Sequence, residues 1–447
     1  MKILPKVLRV IKPTPEEIRS EQTFCKMLIL HIKESAPGYK VVLTGSVAKN
    51  TFLRDKKDVD IFVLFDRSVP RDNLESTIRQ IMAKAFPSLN YQLSYAEHPY
   101  VRFHFDGRRI DLVPAYLISN ASQRISAVDR SVLHTKFVLA SLIKNQNEEV
   151  ILLKQFLRAN SLYGAEIKTE GVSGYLCELL IIKYGTFTKL LRASLKWQVP
   201  IFIDIKKYYK GKAETEHAIA QFGSFTVIDP TDKNRNVAAA VSLSNLKKFI
   251  ALSKAFLKKP SELFFFRQPE KFEDKVEKSK KSDFTILVSM PRPDIVDDVL
   301  WGQLRKMIGQ LNTQLKDFSP KTIFADDSRH LVRLAIVLGE SRLSDKMLLA
   351  GPPLKMKKHV QEFKKSHKKS RFIIKKKMLF AEVQRPVVTA ESAVLHFFKW
   401  FSNLNSHLAY PPEMLIIEVL SNKEKIKNSH STISKNNKPK KRTARSR

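Results

Sequence analysis

"TGSVAKNTFLRDKKDVDIFVLF", residues 44–65, decides how the chain is read. It sets Gly45-Ser46 between a strand and a helix start, then opens a second strand with two aspartates one residue apart. Side chains alternate along a strand, so Asp58 and Asp60 share one face while Val59, Ile61 and Val63 point to the other. Carboxylates that close repel each other and raise one pKa unless a cation lies between them. The stretch reads as half of a metal site.

A third acid follows in "RRIDLVP" (108–114), where Asp111 lies just past Asp106-Gly107, a dipeptide favoured in tight hairpins. Three acids on adjacent strands suit two Mg²⁺ ions, which prefer carboxylate oxygens, waters and substrate phosphates. Gly45 permits close backbone approach. Backbone amides and the Ser46 hydroxyl at a helix N-terminus suit the β and γ phosphates of a nucleotide.

Outward from this motif, Thr14, Pro15 and Glu17 form a capping box opening a helix. "PRDNLESTIRQIMAKAF" is an amphipathic helix behind the second strand. A mixed α/β region ends near residue 147. Helical periodicity then dominates to about residue 260, interrupted by "SFTVIDPTDKNRNVAAAVS" (224–242), which reads as strand, polar loop and new helix. "EKFEDKVEKSKKSD" (270–283) reads as a linker or solvated turn, and an α+β region follows it. Lysines crowd residues 355–377, and the Lys/Arg/Asn/Ser-rich segment from Lys423 onward is expected to be disordered.

At 447 residues the chain predicts two to four domains. Its formal net charge of +35 makes a polyanion, nucleic acid first, the expected partner. No apolar run approaches the ~20 residues that span a bilayer. Pro5 and Pro13 bracket too short an apolar stretch for a secretory signal, so a cytoplasmic protein with no membrane partner is expected. Cys25 and Cys177, the two cysteines, read as core residues, not ligands.

Gly-Ser after a strand, 11 intervening residues (47–57), the acid pair and the hairpin aspartate together resemble the nucleotidyltransferase superfamily of DNA polymerase β type. Further blocks narrow it: "AEHPYVRF", "RRIDLVPAY", "DRSVLHTKFV", "LLKQFLRANSLYGAE", "GVSGYLCELLIIKYG" and "VIDPTDKNRNVAAAVS". With the opening motif they are similar to the archaeal, class I, CCA-adding enzymes (tRNA nucleotidyltransferases), in order, to about residue 415.

The resemblance implies an α+β multidomain fold. A polymerase β-like head with a mixed sheet would span 1–147, a mostly helical neck for nucleotide selection 148–262, and an α+β, tRNA-binding body and tail 263–422. A basic extension, 423–447, lies outside the likeness. It implies template-independent addition of C, C and A to the tRNA 3′ end from CTP and ATP. Asp58, Asp60 and Asp111 would bind two Mg²⁺ ions, and one of them would assist deprotonation of the 3′-hydroxyl. Gly45, Ser46 and Lys49 would meet phosphate. Ser131, His134, Lys154 and Tyr163 would hold triphosphate and ribose, with Glu97 and His98 nearby. Arg235 would read the base edge. Asn50 stands where the family commonly has Gly, and Ser131 where it has Thr.

Blander readings stand beside these. His98 and His134 could be structural, Lys154 solvent-exposed, Tyr163 core and Arg235 a surface cation. Gly171, Ser173 and Gly174 suit a turn with close helix packing. The lysine run could be a solvated face, but the net charge favours contact with the tRNA acceptor arm through Lys357, Lys358, Lys364 and Lys365. A homodimer is compatible with the sequence. The rivals are another nucleotidyltransferase, such as a poly(A) polymerase, and a non-catalytic RNA-binding protein on the same scaffold.

Overall fold

The computed structural model describes residues 2–95 and 99–420. A first compact unit ends at Pro269 and a second begins at Glu270. The first opens with α1 (Leu4–Ile11), α2 (Pro15–Ser35), β1 (Lys40–Thr44), α3 (Gly45–Ala48), β2 (Asp58–Phe65), α4 (Asp72–Ala85), β3 (Tyr91–Tyr95), β4 (Pro99–Phe105) and β5 (Arg108–Tyr116). Next come α5 (Arg130–Ser141), α6 (Gln146–Ala159), α7 (Gly174–Tyr184), α8 (Phe187–Ser194), β6 (Ile201–Asp204), α9 (Lys212–Phe222), β7 (Phe225–Asp229), β8 (Asp232–Asn236), α10 (Leu243–Lys258) and α11 (Leu263–Phe266).

The second unit contains α12 (Phe272–Ser282), β9 (Phe284–Pro291), α13 (Asp297–Gln314), β10 (Pro320–Asp327), β11 (Leu331–Leu338) and β12 (Lys346–Pro353). It continues through α14 (Lys357–Ser366), β13 (Arg371–Lys375), β14 (Met378–Gln384), α15 (Ala390–Phe401) and β15 (Ile416–Leu420). Its strands form two sheets, β10-β11-β9-β15 and β12-β14-β13. The first of these backs onto α13 and α15 through Ile286, Val288, Leu304, Leu334, Val394 and Phe397.

The head sheet runs β1-β2-β5-β4-β3, with β2 and β5 parallel and the other pairs antiparallel. Val59, Ile61, Val63 and Phe65 pack on α2 and α4, while Phe62 and Leu64 pack against Val113 and Ala115 on the opposite face. Past Asp60, then, β2 is buried on both faces, as a central strand with a parallel neighbour must be. Its acidic end stays at the edge of the core. The capping box at Thr14 and Glu17 is present.

Two segments differ from the sequence expectation. The polar stretch after Asp229 is a strand, β8, not a loop, and the next helix begins only at Leu243 behind its Ser242 cap. Asn236 explains how so polar a strand is tolerated. Its side chain accepts from Val227 N and Ala238 N and donates to the Phe222 and Phe225 carbonyls, satisfying buried groups that an apolar residue would strand. The charged stretch 270–283 contains a helix, α12, not a linker. Glu273 and Asp274 stand in its first turn and Lys280 and Lys281 in its last, complementing the helix dipole. Phe272 packs on Phe324 and under the Arg333 guanidinium, and Val276 is buried.

At the end of the first unit, α11 packs into that unit's helical core. Phe264 and Phe265 pack on Phe156 and Phe256. Gln155 and Asn160 donate to the Phe265 and Phe264 carbonyls, 2.5 and 2.9 Å away. Both cysteines are buried and free, and burial pushes their thiols up to about 11 (Cys25) and about 12 (Cys177). No helix among the described residues is long and apolar enough to cross a membrane. Residues 423–447 lie outside the described residues.

Candidate functional site

Strand register builds the acidic end of the site. Thr44 on β1 pairs with Asp60 on β2, Asp60 with Asp111 on β5, and Asp111 with Arg102 on β4, forming one row across four strands. Asp58 pairs with Arg109 in the adjacent same-face row. Burial pushes the Asp60 carboxyl up to about 6, and the Asp111 and Asp58 charges add to the rise. Gly45 lies so near that a Cβ there would sit 1.9 Å from Asp60 Oδ2. Its φ of +71° is also one that a side chain disfavours. Glycine is required twice over.

The orientation of the acids has a particular feature. Asp111 accepts both Nε (2.7 Å) and Nη2 (2.8 Å) of Arg102. Asp58 accepts from Arg109 Nη2 at 2.7 Å and lies 3.2 Å from Lys56 Nζ. With these side chains turned to arginine, no three His, Cys, Asp or Glu among the described residues form a group that could hold a metal ion. The donor set nonetheless fits a divalent cation. Two carboxylates are register partners and a third shares their face, so three sets of carboxylate oxygens converge on one side of the sheet.

Beside the acids opens a cleft of about 250 Å³. Gly45, Ser46, Lys49, Asp58, Asp60 and Arg109 line it on the side of the five-stranded sheet, and Lys154, Tyr163, Tyr175 and Glu178 on the side of the helices that follow. Glu178 joins the two walls. It accepts Lys49 Nζ at 2.6 Å and Thr51 Oγ1 at 2.7 Å, and Lys154 Nζ lies 3.7 Å away. Lys154, far from being solvent-exposed, is buried and also donates to the Thr51 carbonyl. Burial lowers its pKa, against which Glu178 acts. Burial likewise raises the Tyr163 hydroxyl's pKa.

A second cluster gathers on Asp229, the last residue of β7. His134 Nε2 lies 2.9 Å from its Oδ2, Arg235 Nη1 donates to the same oxygen at 2.9 Å, and Tyr175 OH donates to Oδ1 at 3.1 Å. Burial opposes ionisation of Asp229, but hydrogen bonds from His134, Thr231 N and Arg235 outweigh it and hold the carboxyl well below its usual range. Burial pushes His134 down, so its imidazole is neutral near pH 7 and donates to the acceptor-only carboxylate. The His134 ring stacks on Tyr175 at 4.0 Å. Tyr175 also lines the cleft and so connects the two clusters.

Of the residues singled out from sequence, seven line the cleft, and His134 and Arg235 meet on Asp229. Asp111 stands in register beside Asp60, and Ser131 lies one turn before His134 on α5. Glu97 and His98 lie outside the described residues. Lys357, Lys358, Lys364 and Lys365 are exposed on α14, which buries none of its side chains. Sequence reasoning missed Glu178, Asp229, Arg102 and Arg109. Glu178 left a trace, being the one acid within the apolar helix "GYLCELLIIKY".

Three family models match the chain: a nucleotidyltransferase domain over residues 25–134, the second domain of tRNA nucleotidyltransferase over 148–266, and the C-terminal domain of CCA-adding enzyme over 281–407. The CCA-adding enzyme of Methanocaldococcus jannaschii is 37% identical over 416 residues, covering 90% of this chain and 91% of that protein. The CCA-adding enzyme of Saccharolobus shibatae is 35% identical, covering 77% of this chain and 80% of that protein. That of Methanococcus maripaludis (strain C7) is 35% identical, with 81% and 83% covered.

Two outcomes follow from the geometry. Gly45→Ala should cost about 1–2 kcal/mol for the left-handed backbone and displace Asp60, so turnover should collapse while a folded protein persists in thermal melts. Near-normal turnover would show that Asp60 is free to move. Glu178→Ala should cost about 3–5 kcal/mol in denaturant unfolding, because it strips the partner from buried Lys49 and Lys154.

Proposed function

The chain belongs to the family of CCA-adding enzymes, and from that premise we propose that its cleft holds a nucleoside triphosphate with the tRNA 3′-hydroxyl brought up to the acids. The protein is a tRNA nucleotidyltransferase of polymerase β-like, α+β multidomain architecture. It adds C, C and A to tRNA, using CTP and ATP and releasing diphosphate. The observation that carries the site reading is the register of Asp60 against Asp111, with Asp58 on the same face, at the mouth of a cleft lined by lysines.

Asp58, Asp60 and Asp111 would hold two Mg²⁺ ions. Such ions, when bound, neutralise charge on the attacking and leaving oxygens. The chain's own residues do the remaining work. One of the three carboxylates takes the proton of the 3′-hydroxyl. The Gly45-Ser46 backbone and the Ser46 hydroxyl accommodate phosphate oxygens, as the positive φ of Gly45 permits. Lys49 and Lys154 offer ammonium protons to the triphosphate while Glu178 keeps both in place. Ser131, His134 and Tyr163 bound the sugar and phosphates, with Glu97 and His98 close by.

Arg235 has a guanidinium with several donors in one plane. Asp229 occupies Nη1, which fixes that plane and leaves other donors for the acceptors on a cytosine or adenine edge. His134 shares the same carboxylate, so sugar and base contacts have one anchor. On α14, exposed lysines suit the phosphates of the acceptor arm, which proteins hold by shape and charge rather than by base sequence. The acid row and the family identity disfavour a non-catalytic scaffold. A cytoplasmic setting and a homodimer complete the reading.

The deciding experiment supplies a tRNA lacking its terminal CCA with CTP and ATP, singly and together, and sequences the ends. Addition of C, C and A in order supports the reading, whereas U addition or long A tails would overturn it. Asp60→Ala should lower kcat by about a thousandfold or more, the several kcal/mol of metal-assisted stabilisation, with tRNA affinity nearly unchanged. Arg235→Ala should weaken choice of CTP and ATP over other nucleotides by about tenfold to a hundredfold, since it leaves base acceptors unpaired. Reversing Lys357, Lys358, Lys364 and Lys365 to Glu should weaken tRNA binding and flatten its log–log salt slope by about 3. An unaltered slope would make α14 a solvated face.

A further inference from the structure

The two arginines that hold Asp111 and Asp58 are placed by the sheet itself. Arg102 is the cross-strand partner of Asp111 on β4, and Arg109 is the partner of Asp58 on β5. In both rows an acid of the site therefore faces a guanidinium on the adjoining strand. Tyr100 holds Arg102 as well: Nη2 also donates to its OH at 3.0 Å, and the guanidinium lies 5.4 Å from its ring centroid. The fork thus takes both oxygens of Asp111 at once, at 2.7 and 2.8 Å. A divalent cation needs lone pairs of that same carboxylate.

We infer that Arg102, with Arg109 as its weaker counterpart, is a built-in rival of the divalent cation for the site's carboxylates and keeps metal affinity low until substrate phosphate draws the guanidinium away. The inference rests on the metal and nucleotide reading above and adds a coupling to it. A guanidinium fork fits a phosphate as well as it fits a carboxylate. Arg109 already lines the cleft proposed for the triphosphate, and the Arg102 side chain is about a third exposed, within reach of an incoming ligand. A phosphate that takes the fork frees Asp111, and by linkage a cation on Asp111 favours the phosphate by the same factor. Metal and nucleotide then bind as a pair. The opposite role is equally concrete: a permanent brace, in which Arg102 aims Asp111 for the metal and its loss weakens metal binding.

Mn²⁺ titrations of the full chain without nucleotide or tRNA separate the two, with free Mn²⁺ read by electron paramagnetic resonance. Arg102→Gln should bind Mn²⁺ about tenfold more tightly than the parent protein, the worth of one charge-assisted bidentate pair. Arg102→Lys keeps the charge but loses the fork, and should fall between them. A simple field effect would leave Arg102→Lys unchanged. Arg109→Gln should show a smaller gain and carries the test if Arg102→Gln fails to fold, as judged by circular dichroism. Equal or weaker Mn²⁺ binding in the folded Arg102→Gln and Arg109→Gln proteins overturns the inference, and so does tighter binding by Arg102→Gln with Arg102→Lys unchanged. An Asp111→Asn control locates the fault. If that substitution leaves Mn²⁺ binding untouched, the metal-site reading itself fails. If it weakens binding while the arginine variants match the parent, only the rivalry fails.

Discussion

The parallel pairing of β2 with β5 sets two carboxylates, Asp60 and Asp111, directly opposite each other on neighbouring strands. Left to themselves, the two charges would push the strands apart, because like charges at adjacent sheet positions destabilise the pairing. The sheet is held by what lies farther along the same strands. Ile61, Val63 and Phe65 on one face, and Phe62, Leu64, Val113 and Ala115 on the other, are buried to within a few per cent. Burial of this kind contributes roughly 1.5–3 kcal/mol for each large side chain. The core end of the ladder therefore fixes the register that its acidic end obeys. A one-residue slip would turn Asp60 into the core and Ile61 into the cleft.

The rest of the site is arranged around that constraint. The left-handed turn at Gly45 lets the backbone pass against Asp60, which a side chain would block. Lys49 and Thr51, a few residues on, reach into the neck and meet Glu178. Lys154 completes a buried group of two cations and one anion, so the cleft keeps a surplus of positive charge on the wall facing the acids. Asp229 repeats the device farther along. One ionised carboxylate orients an imidazole, a phenol and a guanidinium.

Much of this was legible in the sequence, for definite reasons. Asp58, Asp60 and Asp111 could be read because strand alternation is strict and because Asp106-Gly107 announces the hairpin. Long periodic helices such as α2 and α4 carried their own caps and apolar stripes. What escaped reading depended on partners far along the chain. The β8 residues look like a loop until Asn236 is seen to satisfy four backbone groups. The α12 stretch looks solvated until Phe272 finds Phe324. Lys154 gives no local sign that its ammonium is buried, since its counterion belongs to another helix. Arg102 and Arg109 look like ordinary strand-surface cations until the register sets each beside an acid.

The contact between Lys49 and Glu178 joins residues 129 positions apart, and this has a consequence for the order in which the molecule comes into being. A chain emerging from the ribosome N-terminus first displays all three acids once residue 111 is out, and its head sheet can close soon afterwards. The opposite wall of the cleft, with Lys154, Tyr163 and Glu178, does not yet exist. Until the 67 further residues to Glu178 have been made, roughly thirteen seconds of synthesis at the slower elongation rates, the nascent protein has the acids without the enclosure. The cleft, walled by residues from both stretches, thus takes form only when the chain as far as Glu178 is present.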